Sequence, residues 1–235
     1  RGAAAVTGRA QALRVKTGAA LPALGQATAR MWGRPEPAAR YGEYLCVMHA
    51  VVRASVPLLA AAGRRCAELG AADPVAGPLA GYLAAHAVEE REHDRWLLDD
   101  LRAIGWDPDE PLRRVPPPVV AELVGAQYYW LLHHHPVGLL GYVAVLEQQP
   151  GPPQLPDRLA RLTGLPPHGF RTLRAHVALD PGHRAELDAV LDGLPLTAEH
   201  EALIAVSALH TISAATRLFA WLADRRPLGV NAHGR

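Results

Sequence analysis

Three runs of this chain hold side chains whose types and spacing could do inorganic chemistry. In HVALDPGH, His176, Asp180 and His183 are separated by four and three residues, which places them on one stripe of an α-helix. Imidazole suits iron, copper, nickel or zinc, and a carboxylate among imidazoles shifts the preference toward iron or manganese. In HAVEEREHDRWLLDDL, His86, Glu89, Glu90 and His93 fall on a second helical stripe, and Leu97, Leu98 and Leu101 continue an apolar side next to it. In VGLLGYVAVLE the chain is apolar almost throughout from Val137 to Leu146 and then delivers Glu147. A carboxylate at the end of such a run is costly to bury unless it is paired or bound to a cation.

Each feature alone has a plainer explanation. A single helical histidine is more often a surface or core residue than a ligand. Glu89, Glu90 and Glu92, with Arg91 and Arg95 between them, could form a solvated face, and Glu147 could cap a helix or pair with an arginine. Taken together, a balanced set of imidazoles and carboxylates on three helical segments favours a metal centre.

In their order, these residues resemble the haem-oxygenase-like di-iron oxidases, the iron-containing redox enzymes, which are structurally akin to thiaminase II and pyrroloquinoline-quinone synthase. The runs that carry the resemblance are YGEYLCVMHAVVRASVPLL, HAVEEREHDRWLLDDL, QYYWLLHHHPVGLLGYVAVLE and HVALDPGH with its trailing ELDAVLDGLPL, covering most of residues 41–196. The resemblance implies that His93, Glu147, His176, Asp180 and His183 are iron ligands. It also implies a glutamate on the helix of His93. Some members place it seven residues before that histidine, where this chain has His86, and others three before, where it has Glu90. Glu90 is the choice here, with Glu89 and His86 as alternatives. Two iron ions, one or both loosely held, and dioxygen as co-substrate follow from the same resemblance. Glu147 and Glu90 would be the carboxylates that shift between terminal and bridging modes. The reaction it implies is oxidation of a small amino-acid-like or fatty-acid-like molecule by N-oxygenation, desaturation or C–C cleavage. Two other classes stay open: a metal-independent enzyme similar to thiaminase II or the quinone-cofactor synthase, and a non-catalytic iron-binding protein.

The elements that must position these residues read as helices, with almost no strand alternation. The pattern predicts helices over 18–32, 37–67, 74–104, 117–134, 136–149, 169–192 and 197–225, separated by clusters of proline and glycine. Thr197 ahead of Glu199 and Glu201 reads as a capped helix start. The expectation is therefore an all-α, single-domain bundle of about seven helices, with its ligands projecting inward. Residues 1–36 would be an N-terminal extension and first helix, 37–225 the metal-binding domain, and 226–235 a tail. Pro181 and Gly182 interrupt the metal-bearing helix. Proline inside a helix costs about 3 kcal/mol if nothing compensates, so this segment is expected to order fully only with metal.

Composition narrows the partners. The net charge of +1 over 235 residues gives no field suited to nucleic acid or anionic lipid, and no long uncharged apolar stretch predicts a membrane span. The two cysteines, Cys46 and Cys66, read as reduced core thiols of a cytoplasmic protein. The partner expected is a small-molecule substrate, and a homodimer is in keeping with the relatives. Tyr128, Tyr129 and Trp130 read as core packing rather than pocket lining. Arg53 reads as a surface residue, and His49 as a pocket candidate.

Overall fold

Proline decides where several helices begin, because its missing N–H costs nothing in a first turn. The computed structural model describes residues 8–147 and 152–227, the side chain of Asp180 excepted, and among them there are α-helices and short 3-10 turns but no strand. Residues 1–7 of the N-terminal extension and 228–235 of the tail lie outside the described residues. Helix α1 spans Arg9–Gly18, α2 spans Leu21–Trp32, α3 spans Pro37–Val52 and α4 spans Ser55–Leu69. The sequence predicts one helix over 37–67, and the chain breaks it after Val52. In an unbroken helix the Pro57 ring would clash with the Arg53 carbonyl.

The helix expected over 74–104 is also two, α5 (Ala76–Glu89) and α6 (His93–Ala103). Glu92 sits between them in the left-handed region at φ 68°. Unbroken, the segment would stack like charges at Glu89 and Glu92 and at Glu90 and Asp94, spacings at which helical neighbours repel. Broken, it lets Glu92 accept from Arg95 at 2.7 Å. There follow α7 (Glu110–Arg113), α8 (Pro118–His133), a 3-10 turn at Pro136–Gly138, α9 (Leu139–Glu147), α10 (Leu155–Thr163), α11 (Arg171–Gly193) and α12 (Ala198–Asp224). Each predicted helix has its counterpart; α1, α7 and α10 are additional. At the start of α12, Thr197 Oγ1 accepts the His200 N–H at 3.2 Å and His200 Nδ1 accepts the Thr197 N–H at 3.4 Å. The capping partner is thus His200 rather than a glutamate.

Two apolar clusters hold the bundle. The larger draws on α1 to α5, α8, α9, α11 and α12, and the smaller gathers Tyr41, Leu45, Leu97, Leu101, Ile104, Leu159 and Phe170. Helix α9 lies directly on α12, because a Cβ at Gly141 would come 2.2 Å from the Ile204 carbonyl oxygen and 2.7 Å from the Ala208 nitrogen. This close approach fixes the helix that ends in Glu147.

Helix α11 is tied at both ends. At its start, the buried Asp100 of α6 accepts the N–H groups of Arg171 and Thr172, each at 3.0 Å, a cap borrowed from a neighbouring helix. Burial pushes Asp100 up in pKa against the pull of those bonds. Beyond its end, Arg9 of α1 donates to the carbonyls of Asp192 and Leu194 and to the Glu201 carboxylate. Pro181 stands inside α11, which continues helical through it. By length and composition two stretches could cross a membrane, Pro37–Ala72 and Ala198–Asp224, but half of each is buried inside the bundle. Cys46 and Cys66 are buried and free.

Candidate metal centre

Where α5, α6, α9 and α11 meet, the structure gathers seven of the sequence-selected side chains. His86 lies on the buried face of α5 with Leu83 and Leu79, one and two turns earlier, as a helical stripe requires. Its Nε2 is 2.7 Å from Glu147 Oε1, and its Nδ1 is 3.5 Å from Glu89 Oε2. One ligand atom each from His86, Glu90 and Glu147 lies within 4.8 Å of the other two. Glu90 Oε1 is also 3.2 Å from Nδ1 of His93, which opens α6. From α11, the His176 ring stands 5.3 Å from that of His93, and the His183 ring 5.5 Å from that of His86. His183 Nε2 reaches Glu89 Oε2 at 3.7 Å. Asp180 occupies its helical position between them, and its side chain lies outside the described residues.

The group divides into two halves. One holds Glu90, His93 and His176; the other holds His86, His183 and Glu147, with Glu89 at a rim where its side chain is 40 % exposed. Glu147 and Glu90 lie between the halves. The expected glutamate on the helix of His93 is not found there: the break at Glu92 leaves all three alternatives on α5 or its C-cap, where His86 and Glu90 lie inward and Glu89 reaches in from the edge.

The electrostatics are those of anions and imidazoles compressed together. Burial alone would lower the His86 pKa; the hydrogen bond and charge of Glu147, with the charge of Glu90, outweigh it and hold the imidazole up to about 9. Burial raises Glu90, and the neighbouring His93, His86 and His176 more than reverse that, so its pKa is lowered. Despite these pairings, hydrogen-bonding capacity is left over. Glu147 Oε2 and His93 Nδ1 are buried without a hydrogen bond, since Glu90 is close to His93 but poorly aligned with it. Unsatisfied buried acceptors are expensive, and a divalent cation would satisfy both. His176 is already arranged for one. Its Nδ1 is 2.9 Å from the Thr172 carbonyl, which can only accept, so that nitrogen carries the proton and Nε2 keeps a free lone pair.

A second cluster fails the same test. Asp73, His135 and His200 also bring ligand atoms within 4.8 Å. There, however, each imidazole uses Nδ1 to accept a backbone N–H, from Val137 and Thr197, which puts the proton on Nε2. His135 donates that proton to Asp73 Oδ2 at 3.0 Å, and Asp73 Oδ1 accepts from Val75 and Ala76. A metal would have to strip these contacts, so the cluster is a hydrogen-bonded knot.

Several residues around the centre have no counterpart among the sequence candidates. Tyr82 stacks on His86 at 5.6 Å and 8°, and Trp96 on His93 at 4.1 Å. The hydroxyls of Tyr82 and Tyr142 are buried without partners. The spacing of Tyr82, four residues before His86, and Trp96, three after His93, is the only signal the sequence offers for them. Tyr129 is exposed, Trp130 packs near His210 at 6.5 Å, Arg53 is exposed, and His49 is buried on α3 with its Nδ1 unpartnered.

Comparison with known proteins identifies the family and the fold. The sequence matches the family described as iron-containing redox enzymes over residues 42–216, a span that includes every candidate ligand. No curated protein matches it. Among solved structures, a domain of unknown function with a heme oxygenase-like fold from Shewanella denitrificans is similar. It is 21 % identical with a TM-score of 0.70, over 91 % of this chain and 88 % of that one. A TenA homolog from Pseudomonas syringae pv. tomato is 11 % identical with a TM-score of 0.64, over 92 % of each chain. At these identities the likeness is one of fold, and the bundle is haem-oxygenase-like.

Proposed function

The chain belongs to the iron-containing redox enzyme family, and on that premise we propose that it is a non-haem di-iron oxidase or oxygenase acting on a small organic molecule. The observation that carries the proposal is the contact between Glu147 and His86, 2.7 Å apart, beside Glu90 and between two pairs of imidazoles. Glu90, His93 and His176 would hold one ion, and His86, His183 and Glu147 the other. Asp180 is the further carboxylate on α11. Two ferrous ions bound there would supply electrons to dioxygen as co-substrate.

The protein's own part is positioning. Thr172 fixes the His176 tautomer through its carbonyl. Helix α9, pressed onto α12 at Gly141, delivers Glu147 to a place where its side chain is only 12 % exposed. Proton transfer accompanies loading: His86 and Glu147 share a proton in the metal-free protein, and it must leave before both can act as ligands. The apolar wall of Leu140, Val143 and Ala144 on α9 keeps water from the buried side. We take the partner to be a small molecule, and the setting to be a reducing one such as the cytoplasm, where two buried free thiols persist.

A metal-independent enzyme is the second reading, prompted by the fold shared with the TenA homolog. Anaerobic reconstitution with ferrous iron, followed by dioxygen and a panel of amino acids and fatty acids, separates the two. The proposal expects about two iron ions per chain and oxygen uptake accelerated by one substrate class. A chain that binds no iron, yet turns over a TenA-type substrate, would overturn it.

A further inference from the structure

Two aromatic rings stack on imidazoles of the centre, and their surroundings differ in charge. Trp96 lies against His93, but the Arg171 guanidinium stands over its indole at 5.4 Å. A fixed positive charge there opposes removal of an electron from that ring. Tyr82 lies parallel to His86, and burial together with the carboxylates of Glu147, Glu186, Glu89 and Glu90 disfavours a negative charge on its hydroxyl. Its hydroxyl is buried and donates to nothing. A buried, unpartnered donor is anomalous in a folded core, and here it stands next to a side chain assigned to the metal.

We propose that Tyr82 is a built-in one-electron, one-proton donor to the iron centre. The inference rests on the di-iron reading above and extends it. Dioxygen takes up four electrons on its way to water; two ferrous ions becoming ferric would supply two, Tyr82 a third, and free ferrous iron in the loading solution the fourth. When no substrate is present to provide more, the phenol O–H of Tyr82 breaks. Its electron passes through the stacked His86 ring to the dioxygen-oxidised iron, which is reduced by one electron. Its proton leaves on the side of Glu186, whose exposed side chain must first turn to accept the O–H, and a neutral phenoxyl remains. Glu186 suits that role because it lies on α11 one turn beyond His183, is exposed to solvent, and is not among the side chains assigned to the metal. Tyr142, the other tyrosine among the described residues with a buried unpartnered hydroxyl, has Glu90 and Tyr128 among its titratable neighbours and serves as the control.

The test uses the full chain, loaded anaerobically with ferrous iron, mixed with dioxygen without substrate and frozen at intervals. Iron content, oxygen uptake and the electron paramagnetic resonance spectrum are measured on the same samples. The expected result is an organic radical whose hyperfine pattern changes when the protein carries ring-deuterated tyrosine. Tyr82→Phe, which keeps the stacked ring, should bind iron and lose the signal. Tyr142→Phe should keep it, and Glu186→Gln should slow its appearance. An iron-loaded wild type that consumes oxygen without a tyrosine-derived radical overturns the proposal, as does a signal that survives in Tyr82→Phe. If the chain binds no iron or consumes no oxygen, the di-iron reading itself has failed, and this proposal falls with it.

Discussion

At the scale of single residues, Glu147 has the most to lose. One of its oxygens is 2.7 Å from His86 and the other is buried with no partner, an arrangement that a cation would complete. Glu147→Ala is expected to weaken ferrous binding by more than the roughly 10–100-fold that changes behind a ligand typically cost, and to abolish iron-dependent oxygen uptake. Anaerobic calorimetry with ferrous iron checks the first and an oxygen electrode the second; unchanged affinity would remove Glu147 from the centre. The sequence already singled out this residue, because a carboxylate closing an apolar run needs a reason. It left the choice among His86, Glu89 and Glu90 open, because offsets of three, four and seven residues from His93 all lie on one stripe. Only the helix break at Glu92 and the position of α9 decide how far each reaches. Tyr82 went unremarked for a similar reason: a tyrosine on an apolar helix face reads as core until its hydroxyl is found without a partner.

At the scale of elements, α11 is the member whose ordering matters most. Its first turn is capped by Asp100 from another helix, so Asp100→Ala removes the acceptors of two backbone N–H groups at once. The expected cost is about 1–2 kcal/mol, concentrated at the His176 end, with faster amide exchange around Arg171 and Thr172. A loss of stability spread evenly over the chain would argue against a local cap. In the middle of α11, Pro181 withholds one backbone bond. Pro181→Ala should raise the stability of the metal-free chain by up to about 3 kcal/mol. Iron should also slow amide exchange over residues 176–185 in the wild type more than in the variant, and equal protection with and without iron would count against a metal-ordered segment. The sequence showed the interruption at Pro181 plainly, as a residue with no N–H. It did not show the breaks at Arg53 or Glu92. The first depends on where a proline falls within its first turn, and the second on repulsion among acids that also read well as a continuous helical face. The Asp100 cap was invisible, since its partners are 71 and 72 residues away.

At the scale of the whole molecule, the knot around Asp73 joins elements distant in sequence. One carboxylate accepts the first N–H groups of α5 and the Nε2–H of His135, whose Nδ1 in turn holds the 3-10 turn ahead of α9. The His135 ring also stands 4.6 Å from that of His200 in the cap of α12. Burial, with the nearby His200 and Arg65, lowers the His135 pKa in spite of Asp73, and burial lowers that of His210 on α12 too. The folded chain therefore binds these protons less readily than the unfolded chain, whose histidines titrate near about 6.5. The unfolded state takes up more protons as the pH falls through that value, so stability is complete above it and declines below it, until the folded histidines protonate as well. The mechanical reason agrees with the sign. A protonated Nδ1 on His135 would face the Val137 N–H, donor against donor, and loosen the start of the segment that leads to Glu147. His86, held up to about 9, acts in the opposite sense over the same range, so the effect of the knot is read as a difference between two chains. On the metal-free protein the wild type's advantage in denaturant midpoint over His135→Asn should shrink from about pH 7.5 down to about pH 5.5, since His86 contributes equally to both. A difference that stays constant over that range would place the acid sensitivity elsewhere in the bundle.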